Sequence, residues 1–115
     1  MKNILLIIVA LISVGAHAGG RVSWATPIQI DIERGNGVMV YGNFGNPNNC
    51  TMSDMFYIKS DHPEFEKIYS ALMIAYTSKK KITAYIHECS PVPWYSVIET
   101  TYNTLTLSGD FKIKD

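Results

Sequence analysis

The chain has 115 residues and a mass of 12.9 kDa, which corresponds to one domain. Ten lysines and arginines balance ten aspartates and glutamates, and a net charge of zero argues against a nucleic-acid partner held by phosphate neutralisation. Charged residues make up only 17% of the chain, against roughly 25% in typical soluble domains. Part of this deficit lies in an apolar segment near the N-terminus.

The first residues have the layout of an export signal. Lys2 gives a positive start, residues 4–12 form an unbroken apolar run, and Ala16-His17-Ala18 fits the small-x-small pattern of signal peptidase. A bilayer requires about 20 apolar residues, so an uncleaved membrane anchor is the weaker alternative. We expect a signal peptide over residues 1–18 and one secreted or periplasmic domain over residues 19–115, with no stable membrane insertion after processing.

Two cysteines, Cys50 and Cys89, follow the export signal. An even number of cysteines in an exported protein favours a disulfide, which the loop-entropy model values at on the order of 3–4 kcal/mol for this span. A metal site with His87 is the alternative, but structural zinc needs four ligands and the chain has no C-x-x-C pair. We therefore expect a disulfide, no metal and no cofactor.

The first half of the exported domain predicts three strands. Residues 22–33 are predicted as a strand: Ile28, Ile30 and Ile32 alternate with polar residues, a pattern typical of a half-buried strand, and Pro27 predicts an edge or a bend there. Gly35-Asn36-Gly37 predicts a tight hairpin that leads into a second strand at residues 38–41. After a polar, turn-rich loop, residues 55–59 are the third predicted strand.

A helix is predicted after the third strand. Asp61 and Glu64 have the spacing of a capping box, and Pro63 suits a first helical turn. Lys79-Lys80-Lys81 fits a solvated helix end, where positive charge is favourable. Steps of three and four residues place one apolar stripe on this helix, namely Phe65, Ile68, Tyr69, Leu72, Met73 and Tyr76.

Two further strands complete the predicted order. Residues 82–88 alternate with Ile82, Ala84 and Ile86 on one face, and residues 94–107 form a fifth strand before a polar tail. Three strands, one helix and two strands is the order of the OB-fold. We therefore expect a mostly β (α+β) protein with a five-stranded OB-fold-like barrel, in which the helix lies between strands three and four. An open α+β sheet is the alternative.

One segment, residues 65–86, resembles the helix and following strand of the pentameric B subunits of subtilase-type and pertussis-like bacterial toxins. It is also similar to small exported bacterial proteins of unknown role. The matching positions are Phe65, Ile68, Tyr69, Tyr76, Thr77, Ser78, Ile82 and Tyr85. The resemblance implies an OB-fold, export and a ring of subunits whose helices line its centre.

The glycan contacts of those toxin subunits do not carry over to this chain. The family recognises sialylated glycans through a Trp-Thr-Gly-Asp start and a later serine, whereas this chain has Trp24-Ala25-Thr26-Pro27. The family's sugar-contacting tyrosine falls on Ile86, one position beyond Tyr85. The fold can therefore be shared while the ligand differs.

Four aromatic residues are the candidate ligand contacts: Trp24, Tyr85, Trp94 and Tyr95. Each of them is also a good core residue, because aromatic side chains bury large apolar areas. We find no catalytic constellation, so the expected function is that of a non-enzymatic exported module that binds a glycan or another exported protein. The alternative is a small disulfide-linked envelope protein that acts as an inhibitor or a structural interaction partner.

The predicted helix is apolar over more than one stripe. Ala71, Ile74 and Ala75 extend its apolar surface to a flank where a lone domain would favour charge. Exposed strand edges are also covered by association. We therefore expect a homo-oligomer, with a pentamer as the first guess.

Overall fold

A computed structural model describes residues 19–32, 34, 36–92 and 99–115 of the chain. The predicted signal peptide and the candidate contacts Trp94 and Tyr95 lie outside these residues. In chain order, the described elements are β1 (Gly20–Arg21), β2 (Gln29–Ile32), β3 (Gly37–Tyr41), β4 (Met55–Lys59), α1 (Phe65–Ser78), β5 (Lys81–Ile86), β6 (Glu88–Ser90), β7 (Tyr102–Leu105) and β8 (Phe111–Lys114).

The strands form two sheets, and neither closes on itself. One sheet has the order β2-β3-β4-β7-β6, in which only the β4–β7 pair is parallel, and the other has the order β1-β5-β8. The chain joins the sheets directly, because β5 and β6 are separated by His87 alone. The protein is therefore mostly β with one helix, of the α+β class, while the predicted single five-stranded sheet is divided in two.

Only part of the first predicted strand, residues 22–33, is a strand in the structure: this part is β2, and β1 lies before the predicted range. Residues 22–28 belong to no strand, although Ala25 forms an isolated bridge with Ile82. Pro27, which has no N–H group to donate, lies in this interruption as expected. The alternation that predicted one buried isoleucine face is only partly correct. Ile30 packs against the core, whereas Ile28 is 71% exposed and Ile32 is 68% exposed, because β2 lies at the edge of the five-stranded sheet.

The predicted hairpin between β2 and β3 is confirmed. The strands pair antiparallel, with Ile32 opposite Val38 and Gln29 opposite Tyr41. Gly37 has a φ of +146°, which an L side chain rarely adopts, and it lies directly opposite Lys59 of β4. Gly37 therefore allows close approach of the two strands as well as the turn.

The helix is in the predicted place, but its predicted capping box is wrong. Glu64 is the N-cap residue and makes no side-chain capping bond. Instead, the backbone N–H of Glu64 donates to Nδ1 of His62 at 3.0 Å, while Nε2 of that ring is 3.3 Å from the carbonyl oxygen of Thr106. Turns at residues 59–65 set Asp61 before the first helical turn, so this side chain does not cap the helix.

The main core lies between the two sheets and the helix. On the helix, Ile68, Leu72 and Ala75 are buried, whereas Tyr76 is exposed, so the apolar stripe is rotated slightly from the predicted one. The buried members of this core are Val22, Ala25, Val38, Val40, Phe44, Phe56, Ile58, Ile68, Leu72, Ala75, Ile82, Ala84, Ile86 and Leu105. A second cluster of Met39, Met55, Tyr57, Val92 and Tyr102 covers the other face of the five-stranded sheet.

The C-terminal residues are a strand and not the predicted polar tail. β8 pairs antiparallel with β5, and its Phe111 packs against the main core. Of the fifth predicted strand, residues 94–107, Tyr102–Leu105 form β7, which runs parallel to β4, while residues 94–98 lie outside the described residues. The reason for the missed strand is tertiary: the edge of β5 offers unpaired backbone groups, and β8 satisfies them.

The predicted disulfide between Cys50 and Cys89 is present, with a Cα–Cα distance of 5.4 Å. Both cysteines of the chain are thereby used. Next to it, the buried side chain of Asn103 donates to Oδ1 of Asn46 at 2.9 Å. Asn46 in turn bonds the backbone N–H and carbonyl of Cys50, each at 2.8 Å. Covalent and hydrogen bonds thus fix the same turn.

We predict that Gly37→Ala destabilises the protein strongly. A Cβ atom at this position would lie 2.1 Å from the carbonyl oxygen of Ile58, so the β3–β4 pairing has to shift. We expect a loss of about 3 kcal/mol in the free energy of unfolding, measured by urea denaturation. Gly45→Ala is the control, because its φ is also positive but its nearest neighbour, Oγ of Ser23, is 3.8 Å away. Equal losses in both variants would contradict the steric explanation.

Candidate functional site

A cleft of about 650 Å³ opens at one end of β2 and β3 and contains Trp24, one of the predicted ligand contacts. Its volume is in the range of small-molecule sites, which is roughly 300–1,000 Å³. Trp24, Ala25, Ile28 and Met55 supply apolar surface, and polar groups stand beside them. The polar lining residues are Thr26, Tyr41, Asn43, Ser53 and Asp54. We call this site the Trp24 cleft.

A β-bulge aims Trp24 at the cleft. Arg21 is opposite Tyr85 and Ala25 is opposite Ile82. The three residues between Arg21 and Ala25 therefore face the two residues between Ile82 and Tyr85 of β5. The extra residue changes the alternation of the strand, so that Ala25 is buried and the half-buried Trp24 lies away from the main core. At the bulge, the N–H of Ser23 points away from β5 and donates to the carbonyl oxygen of Phe44 at 2.9 Å.

The polar side of the cleft is held by backbone bonds in the connection between β3 and β4. Asp54 has a φ of +63°, and its N–H donates to the carbonyl oxygen of Gly45 at 2.8 Å. Its carboxylate accepts the N–H of Gly45 at 2.9 Å, and its carbonyl oxygen accepts the N–H of Gly42 at 3.2 Å. These bonds order a segment that carries the exposed side chains of Asn43 and Ser53.

The indole ring of Trp24 also has a cationic neighbour. The ammonium nitrogen of Lys114 lies 4.4 Å from the ring centroid, a cation–π geometry. Lys114 belongs to β8, the strand that the sequence did not indicate. One face of the indole is thus occupied by a lysine.

Tyr85, the second predicted ligand contact, does not line the Trp24 cleft. Its half-buried ring lies under the guanidinium of Arg21, 5.6 Å from the centroid, and 4.9 Å from the ring of His87. Arg21 donates to the carboxylate of Asp110 at 2.8 Å, and this hydrogen bond holds the pKa of Asp110 below its usual value. Trp24 and Tyr85 therefore stand at different places along the β1–β5 pair.

The cleft includes residues that the sequence did not single out. Asn43, Ser53 and Asp54 lie in or next to the turn-rich connection before β4, whose composition was the only available signal. Within the described parts of the chain, no three histidine, cysteine or acidic side chains are grouped as a metal site would require. No helix among the described residues has the length and apolar character to cross a membrane.

Comparison with known proteins gave no match, whether to a family model, to a curated protein or to a solved structure. The resemblance of residues 65–86 to toxin B subunits therefore stays a prediction.

Proposed function

We propose that the protein is a non-enzymatic, exported binding module whose Trp24 cleft takes a glycan. The observation that supports this most directly is an aromatic ring in a cleft that is lined both by apolar side chains and by hydroxyl, amide and carboxylate groups. Sugar rings have apolar C–H faces that pack on aromatic rings, and hydroxyl groups that bond to such polar side chains. The mixture of groups suits a sugar better than a purely apolar ligand.

The path of the chain is compatible with an OB-fold-like barrel, which we include in the proposal. Residues 20–32 run from the three-stranded to the five-stranded sheet, and residues 81–90 do the same. Taking each run as one bent strand gives six strands, with the helix between the third and the fourth. The first five follow the OB-fold order, and β8 is a sixth strand after them. OB-folds bind oligosaccharides with one face and the adjoining loops, and the Trp24 cleft adjoins such a loop. This likeness is also what relates the proposal to toxin B subunits.

We predict that Trp24→Ala weakens glycan binding about thirtyfold, which is about 2 kcal/mol and typical of a buried aromatic contact. The measurement is binding to an array of sialylated and neutral oligosaccharides, followed by titration calorimetry of the best ligand. Trp24→Phe should retain part of the affinity because it keeps a ring. Leu107→Ala, at an exposed apolar residue outside the cleft, is the control and should have no effect.

Absence of binding to every glycan on such an array would contradict the glycan proposal. It would favour the second candidate, a small disulfide-linked envelope protein that inhibits or supports another protein. That candidate has its own observation, because apolar side chains such as Ile32 and Ile74 are exposed at the surface.

Export has a direct chemical test in the intact mass of the exported protein measured without reduction. We expect the mass of residues 19–115 less two hydrogens, because cleavage after Ala18 and oxidation of Cys50 and Cys89 both occur in the export compartment. Reduction should restore two mass units. A mass that includes Met1, or two thiols that react with an alkylating agent before reduction, would contradict export.

We also propose that copies of the chain associate. β2 is an edge strand that pairs only with β3 in the described part of the chain, and its Ile32 borders a small apolar groove with Phe65 and Tyr69. On the helix, Ile74 is 53% exposed. An edge strand beside exposed apolar residues favours association with a second copy.

Light scattering at micromolar concentration should give several subunits per particle, with five as the expected number. We expect Ile32→Lys to reduce this mass, because a charge on the edge strand opposes pairing. Leu107→Lys changes an equally exposed apolar residue elsewhere and should leave the mass unchanged. A single-subunit mass that does not change on dilution would overturn the association.

A further inference from the structure

The outer face of the three-stranded sheet carries a group of lysines. Directly opposed residues of antiparallel strands lie on the same side of a sheet. Lys81 of β5 is opposite Lys114 of β8, and Lys112 is opposite Thr83, so the three lysines share one side. The alternate residues of β5, Ala84 among them, pack into the main core on the other side. We call Lys81, Lys112 and Lys114 the lysine face.

The charges of the lysine face are poorly balanced. Lys81 and Lys114 are like charges placed directly opposite each other, an arrangement that destabilises a strand pair. The neighbouring carboxylates balance these charges only in part: Asp110 accepts from Arg21 at 2.8 Å and forms a longer salt bridge of 3.9 Å with Lys112, and Asp115 accepts from Lys80. A chain with a net charge of zero therefore concentrates positive charge on this surface.

The lysine face continues into the Trp24 cleft. The side chain of Lys114 reaches the indole of Trp24, whose ring lines the cleft. A ligand with a sugar ring in the cleft would thus lie beside Lys114, and a longer ligand would cross the row towards Lys81 and Lys112.

We propose that the lysine face binds the acidic groups of a polysaccharide, carboxylates or sulfates, whose sugar rings extend from the Trp24 cleft. This rests on the proposed glycan-binding function and names its ligand class. Repeated acidic groups along one polymer chain match a row of lysines, and their binding offsets the repulsion between Lys81 and Lys114. A nucleic acid is also a polyanion, but the polysaccharide is favoured because the polar groups of the cleft, Asn43 and Ser53 among them, suit the hydroxyl groups of a sugar.

The test compares dextran sulfate with uncharged dextran of the same length, each immobilised, as probes for the full disulfide-bonded protein. A single-stranded oligothymidylate of matched charge is the third probe. We expect binding to dextran sulfate that exceeds binding to both other probes, and that weakens as salt rises from 50 to 300 mM, where the Debye length falls from roughly 14 to 6 Å.

The diagnostic variant is Lys81→Gln with Lys114→Gln, which should weaken binding to dextran sulfate about tenfold. The matched control is Lys59→Gln with Lys67→Gln, which removes the same charge from exposed positions outside the face and should change binding less than twofold. We expect both variants to fold. The first loses a like-charge pair and also the contact of Lys114 with Trp24, so its Tm should change little.

Each outcome has one meaning for the lysine face. Equal losses in the two double variants, tighter binding of the oligonucleotide, or no binding of dextran sulfate would overturn it. A loss specific to Lys81→Gln with Lys114→Gln supports it. If that specific loss occurs while Trp24→Ala has no effect, the lysine face stands and the Trp24 cleft fails. If Trp24→Ala alone weakens glycan binding, the cleft stands and the lysine face fails.

Discussion

The long connection between β3 and β4 depends on one junction, where the Cys50–Cys89 disulfide lies beside the buried side chain of Asn103. Cys89 and Asn103 are directly opposed on β6 and β7, so the disulfide and the hydrogen bond of Asn103 reach the connection from the same place. Asn103 donates to Asn46, which bonds both the N–H and the carbonyl oxygen of Cys50. If the buried amide of Asn103 lost these partners, the free energy of unfolding would fall by about 1–3 kcal/mol. The disulfide and the hydrogen-bond network therefore support each other. Three polar residues of the cleft, Asn43, Ser53 and Asp54, belong to the connection held in this way.

The elements that could be predicted are those with local signals. The β2–β3 hairpin, β4, the helix and the disulfide follow from glycine-rich turns, alternation, helical spacing and cysteine count. β8 could not be predicted, because Phe111–Lys114 has only two apolar residues and its strand conformation depends on the free edge of β5. The helix start also depends on a distant contact. The ring of His62 accepts the N–H of Glu64, where a cap by Asp61 was expected, and its other nitrogen lies near the carbonyl oxygen of Thr106.

The candidate site shows the same division between local and long-range causes. Trp24 could be singled out as an aromatic residue, but its cleft depends on the pairing of β1 with β5 and on a connection that approaches from the other sheet. Tyr85 was chosen by the same reasoning, yet Arg21 and His87 cover its ring. The contribution of Lys114 depends on β8 and was therefore out of reach as well.

Because of the bulge beside Trp24, this surface depends on the number of residues between paired positions as well as on residue identity. Side chains alternate along a strand, so a change of one residue between paired positions exchanges inner and outer faces. A regular pairing between Arg21 and Ala25 would turn Trp24 inward and bring Ala25 to the surface. Proteins that share the site would therefore be recognised by a spacing: three residues on the first strand against two on its partner. A homologue that keeps a tryptophan at this position but lacks the extra residue would direct the ring into the core, and its surface would have no such cleft.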